Sequence, residues 1–200
     1  LIRFNSEKLT VTLLEKVQAI EAVFERLDSA ISEFQQSTSL HCKFGCGKCC
    51  FKSDIEATAI EFLPFAHHLY SAGLAEEWWN RLKNTDEPVC LILNPTKTGA
   101  GLCTEYQHRG LICRLFGYSA RINKYGTKEL VTCQIIKGEQ QAAFEETQVK
   151  IENGLEIPVM NQYYMQLHSI DPDMAREFYP INQAIQRAVE IVMHYYAYRN

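Results

Sequence analysis

Apolar side chains recur every three or four positions early in the chain. Leu13, Val17, Ile20, Phe24, Leu27, Ile31 and Phe34 form one stripe, with Glu, Lys and Arg on the other faces. That periodicity predicts a long helix over 6–36, with Ser6 as N-cap and the stripe packed on a core. After residue 50, SDIEATAIEFLPFAHHLYSAG opens with Ser53-Asp54-Ile55-Glu56, a capping-box pattern that predicts a second helix. Pro64 should kink or split it, and Gly73 should stop it. LAEEWWNRLKN (74–84) predicts a short third helix. From 86 to 137 the stripes give way to five-residue apolar runs. VCLIL (89–93) and ELVTCQII (129–136) read as strands, and SARIN (119–123) with NKYGTKE reads as a hairpin into the latter. Three helical stripes follow, over 138–151, 158–170 and 172–200, with Pro172 and Pro180 at helix starts. The expected fold is mainly α with a small irregular β region, the helices surrounding a loop-rich cysteine centre. No linker or repeat divides the chain, so residues 1–200 are read as one domain.

Composition changes this picture in one respect. A chain of 200 residues that is 46% hydrophobic buries a core without needing disulfides. Its net charge of −4 gives no basic surplus for a nucleic-acid partner. No apolar run is long enough for a membrane span, and LIRFNSEKLTVTLLEKV lacks the order of a signal peptide. A cytoplasmic location, without membrane or nucleic-acid contact, is therefore expected. What stands out is eight cysteines: Cys42, Cys46, Cys49, Cys50, Cys90, Cys103, Cys113 and Cys133. Reduced thiols are the expectation for that compartment, and the spacing argues against a disulfide framework.

Four of these thiols fall in HCKFGCGKCCFK (41–52). Sulfurs two residues apart can be aimed at one metal from a single turn, as in zinc and iron–sulfur sites. Gly45 and Gly47 permit positive φ and close approach of backbone N–H groups to sulfur. Lys43, Lys48 and Lys52 offset thiolate charge. Cys103 and Cys113 could clamp a metal from the other side, with Cys90 and Cys133 converging on the same point. Eight thiolates exceed one tetrahedral zinc site, leaving a cluster, two mononuclear sites or a bridged polynuclear site open. Cys49 and Cys50, being adjacent, could serve different metals, or one could be spare.

CKFGCGKCC followed by SDIE, then CLIL, then LCTEYQHRGLICRLFG, resembles the CxxCxxCC (YkgJ-type) cysteine-cluster family, a zinc- or iron-chelating domain. The resemblance covers roughly residues 40–136 and implies metal binding by the cluster cysteines with Cys90, Cys103 and Cys113; the centre is expected to be held mainly by Cys42, Cys46, Cys49, Cys50, Cys103 and Cys113, with Cys90 and Cys133 as additional ligands. Two positions depart from the family pattern. Gly110 replaces its usual proline, and Tyr106 stands three residues after Cys103 instead of two. A similar cluster occurs in flagellin lysine N-methylases, which adds an enzyme acting on a protein substrate as an alternative, beside metal storage or transfer. A [4Fe–4S] cluster is favoured over zinc, because the thiols come from several segments around a loop-rich centre and not from two compact knuckles.

Arg109, Arg114 and Arg121 are expected around Cys113, where they could hold an anionic substrate or cofactor. Charge compensation and hydrogen bonding around the thiolates is the preferred role. His41 could replace a thiolate, whereas His67, His68 and His108 read individually as ordinary surface or core residues. Tyr195, Tyr196 and Tyr198 read as helix packing. No catalytic residue is identifiable.

Overall fold

The computed structural model describes residues 11–43, 46–95 and 101–199. In chain order the elements are α1 (Leu13–Ser37), β1 (Glu56–Thr58), α2 (Leu63–Ser71), α3 (Ala75–Lys83), β2 (Leu93–Pro95) and β3 (Gly101–Cys103). They continue with α4 (Leu111–Leu115), β4 (Ser119–Ile122), β5 (Lys128–Val131), α5 (Gln134–Glu139) and α6 (Gln141–Glu152). The last are α7 (Met160–Ile170), α8 (Pro172–Ala175), β6 (Phe178–Pro180) and α9 (Ile181–Ala197). Single 3₁₀ turns occupy Lys48–Phe51, Ala59–Phe62 and Tyr106–His108. The protein is mainly α with a small β region, as its sequence predicts.

All seven stripe residues of α1 are buried. Its described start differs from the expectation. Thr12 is the N-cap, its hydroxyl accepting from the Glu15 N–H while Glu15 accepts the Thr12 N–H at 2.7 Å. Ser6, the expected cap, lies outside the described residues. α1 packs on α7, α2 and α4, and α9 packs on α2 and α3. The inward face of α9 (Ile181, Ala184, Ile185, Ala188, Val189 and Val192) is fully buried and forms the middle of the core.

The capping box at Ser53 does not form. Residues 56–58 are a strand, pairing antiparallel with β6 in the register Glu56↔Pro180, Ala57↔Tyr179 and Thr58↔Phe178. The box forms five residues later, between Thr58 and Glu61. Pro64 sits in the first turn of α2, where its missing N–H costs no hydrogen bond, so it starts the helix instead of kinking it.

The predicted strand 89–93 is mostly turn. Only Leu93–Pro95 is extended, paired with β3. The β4–β5 hairpin is present, with Ser119↔Val131 through Ile122↔Lys128 in register. The strand expected over 129–136 ends at Val131, because the Cys133 sulfur accepts the Ile136 N–H at 3.4 Å and starts α5. Among the described residues, no helix is long and apolar enough to cross a membrane.

Candidate metal centre

The cluster loop is built from two tight turns. The Cys46 N–H donates to the Lys43 carbonyl at 3.2 Å, and the Cys50 N–H donates to the Gly47 carbonyl at 2.9 Å. Gly47 has φ +55°, which a side chain would strain, and it launches the 3₁₀ turn carrying Cys49 and Cys50. The loop is tied down at its entrance. The Gln140 side-chain amide donates to the His41 carbonyl at 2.7 Å and accepts the His41 N–H at 3.1 Å, while Lys43 pairs with Glu139 at 2.6 Å. These ties hold the loop against the α5–α6 junction, and α5 begins at Cys133. The His41 ring faces the Ser39 carbonyl at 3.1 Å.

All eight cysteines are free thiols. Cys90 is buried and Cys42 exposed, with the other six between. The way they perturb one another shows two neighbouring sets. Partial loss of surrounding water, then the sulfurs of Cys46, Cys133 and Cys49, push the exposed Cys42 thiol up. Burial, then Cys90, Glu61, Cys103 and Cys49, push Cys113 up strongly. Burial raises Cys90 to about 11, with Cys103 adding to the rise. Cys42, Cys46 and Cys133 thus form one set and Cys50, Cys90, Cys103 and Cys113 the other, with Cys49 reaching into both. Each of the adjacent thiols moves the other: Cys50 draws Cys49 down, and Cys49 together with burial pushes Cys50 far up. Among the described residues, no three sulfurs lie within 4.8 Å of one another.

Several sulfurs already lie near backbone N–H groups. The Ile136 N–H donates to the Cys133 sulfur at 3.4 Å, and backbone amides nearby pull the Cys90, Cys103 and Cys49 thiols down. Such donors stabilise thiolate, the form that binds metal. A set made only of sulfur, approached by N–H groups and by the Arg109 cation near Cys49 and Cys103, suits a soft metal or an iron–sulfur centre. Carboxylates take no part among the eight.

Tertiary contacts fix the turns from behind. Asn182 on α9 is buried; it accepts the Leu91 N–H at 2.9 Å and donates to the Glu87 and Val89 carbonyls at 2.8 and 2.9 Å. It thereby sets the turn bearing Cys90. Glu61 is completely buried. One carboxylate oxygen accepts the Thr58 N–H at 2.8 Å, and the other accepts the Ile112 N–H at 2.8 Å, at the start of the helix that carries Cys113. Burial pushes Glu61 up to about 7, against the pull of those donors. Gly110 caps the same helix; a Cβ there would stand 2.8 Å from Phe62 Cζ. Phe62 thus fills the space a larger residue at 110 would need.

Of the three arginines expected around Cys113, Arg109 and Arg114 lie together and Arg121 lies apart. Arg114 is buried, ion-paired with Asp28, bonded to the Arg109 and Gln107 carbonyls, and stacked on Phe24 at 4.6 Å. Arg109 stacks on Tyr106 at 3.8 Å and lies 3.5 Å from Asp28. Among the described residues, its buried Nε has no hydrogen-bond partner. Arg121 is not beside them: it is 70% exposed and paired with Glu129 across the β4–β5 hairpin. The first half of β4, Ser119 and Ala120, is buried, whereas Arg121 and Ile122 lie in its exposed half. Arg109 and Arg114 line a pocket of about 360 Å³ with Glu21, Phe24, Tyr106 and His108.

Of the histidines, His67 meets the Tyr196 hydroxyl at 3.2 Å, and Tyr196 stacks on Tyr70 at 4.3 Å. Tyr198 is exposed instead of packed. Sequence reasoning passed over Glu61, Asn182 and Asp28. Glu61 had a signal, since Thr58-x-x-Glu61 repeats the capping-box pattern, whereas Asn182 and Asp28 act through long-range contacts that leave none.

No curated protein and no solved structure matches the chain. A family model described as "Putative zinc- or iron-chelating domain" matches residues 41–144, a span of half the chain that contains all eight cysteines. With its cysteines gathered from five separate segments within that span, the chain belongs to the CxxCxxCC family of metal-chelating domains.

Proposed function

We propose that the eight cysteines hold an iron–sulfur centre, with Cys49 at the junction of the two sulfur sets, in a protein of a reducing compartment such as the cytoplasm. The observation that carries this reading is the spread of the sulfurs. Around one zinc ion, Zn–S bonds of about 2.3 Å place the sulfurs about 3.8 Å apart. Among the described residues, no three sulfurs approach within 4.8 Å. A cluster spreads its ligands, since each cysteine binds a different iron. When bound, the centre would supply electron-transfer or Lewis-acid chemistry. In the chain itself the Ile136 N–H donates to the Cys133 sulfur, Arg109 lies beside Cys49 and Cys103, and Cys90 is buried. Anaerobic purification with iron and acid-labile sulfide analysis tests this. Brown protein with matching iron and sulfide is expected; colourless protein with stoichiometric zinc and no sulfide would overturn it.

The pocket favours a second reading, an enzyme acting beside the centre, with protein lysine methylation the activity suggested by resemblance. Arg109 faces both the pocket and the sulfurs, and among the described residues its Nε has no partner. Arg114 has its donors committed to Asp28 and backbone carbonyls, so it shapes the wall. An Arg109→Gln variant that kept its metal but lost a cluster-dependent activity would support this reading. Unchanged activity would remove it.

A further inference from the structure

Three potential ligands outside the cysteine set meet at one point. Among the described residues, the only His, Cys, Asp and Glu group whose ligand atoms all lie within 4.8 Å of one another is His68, Glu105 and His108. We infer that these three residues form a second, nitrogen- and oxygen-ligated site for one divalent transition metal. Local structure makes the arrangement. Glu105 is the N-cap of the 3₁₀ turn Tyr106–His108, and the His108 N–H donates to the Glu105 carbonyl at 2.9 Å. Residues three apart in a 3₁₀ turn lie on one face, so Glu105 and His108 project together. His68 comes from the last turn of α2, its ring stacked on that of His108 with centroids 4.2 Å apart and planes 18° from parallel.

Among the described residues, none of the three side chains makes a hydrogen bond or an ion pair, in contrast to His67, which the Tyr196 hydroxyl engages. Two imidazoles and a carboxylate suit zinc or ferrous iron, and three protein ligands leave positions open for water or substrate. Around a tetrahedral ion with bonds near 2.1 Å, ligand atoms stand about 3.4 Å apart, so modest side-chain movement closes the site. Imidazole lone pairs lie in the ring plane, so the stack must open on binding. His68 is exposed and has room to turn. The site adjoins the cysteine centre, since Glu105 stands two residues after Cys103 and acts on its thiol, and His108 lines the pocket described above.

The test adds Co²⁺ to the protein with its cysteine centre already loaded. One further equivalent should bind with weak visible d–d bands and no sulfur-to-cobalt charge-transfer band in the near ultraviolet. His68→Ala, at an exposed position, and Glu105→Gln should each weaken that binding at least tenfold without changing the metal content of the cysteine centre. His67→Gln should leave it unaltered. No additional equivalent, a spectrum with thiolate charge transfer, or undiminished binding by a His68→Ala/His108→Ala variant would overturn the inference.

Discussion

Replacing Glu61 by glutamine isolates the effect of one buried charge behind the Cys113 helix. In the unfolded chain this carboxyl titrates near 4.5; in the fold, burial moves it to about 7. Folded protein therefore binds more protons than unfolded protein between those values, and stability falls as pH rises through the window. The full interval is worth roughly 3 kcal/mol, complete by about pH 8. Below about pH 5 the protonated side chain resembles glutamine, with one acceptor oxygen and one donor. Urea unfolding of native protein and Glu61→Gln, matched for metal content, measures the difference from pH 5 to 8. Terms shared by both proteins cancel, and the variant should gain on the native protein by up to about 3 kcal/mol as pH rises. A pH-independent gap would refute the reasoning. A gap moving the other way would show that the Thr58, Leu111 and Ile112 donors outweigh burial and hold an ionised carboxylate.

Gly110→Ala should cost about 1–3 kcal/mol by overpacking, since its Cβ would stand 2.8 Å from the buried Phe62 ring. Thermal unfolding should show the loss shrinking in a Phe62→Leu background, and equal losses in both backgrounds would reject the clash. Asn182→Ala leaves the Leu91 N–H and the Glu87 and Val89 carbonyls without their partner. A loss of about 2–4 kcal/mol is expected, with reduced metal retention through the Cys90 turn; unchanged retention would separate that turn from the centre. In metal-free protein at pH 7, iodoacetamide followed by peptide mass spectrometry should label Cys49 before Cys50, because Cys49 is drawn down and Cys50 pushed up. Labelling in the reverse order would contradict that assignment.

Periodicity made α1 legible, because its burial follows directly from one stripe meeting one core. Local signatures were less decisive where two of them competed. Ser53-x-x-Glu56 and Thr58-x-x-Glu61 both match a capping box, and pairing of residues 56–58 with residues 178–180 chose between them. The strand read through Cys133 failed because a thiol took the N-cap role usually held by Ser, Thr, Asp or Asn. The eight cysteines were visible as a group. Their division into two sets meeting at Cys49 was not, since it depends on how α5, the Cys90 turn and α4 are packed. His68 and His108 lie forty residues apart, so each looked ordinary until α2 met the 3₁₀ turn.

We propose one sulfur-ligated, multi-iron centre that unites the two cysteine sets. Iron X-ray absorption on anaerobically purified protein tests it most directly. The account predicts an all-sulfur first shell with iron–iron scattering beyond it, lost in a Cys49→Ser variant that still folds. A mononuclear metal with no metal–metal scattering, unaffected by Cys49→Ser, would contradict it.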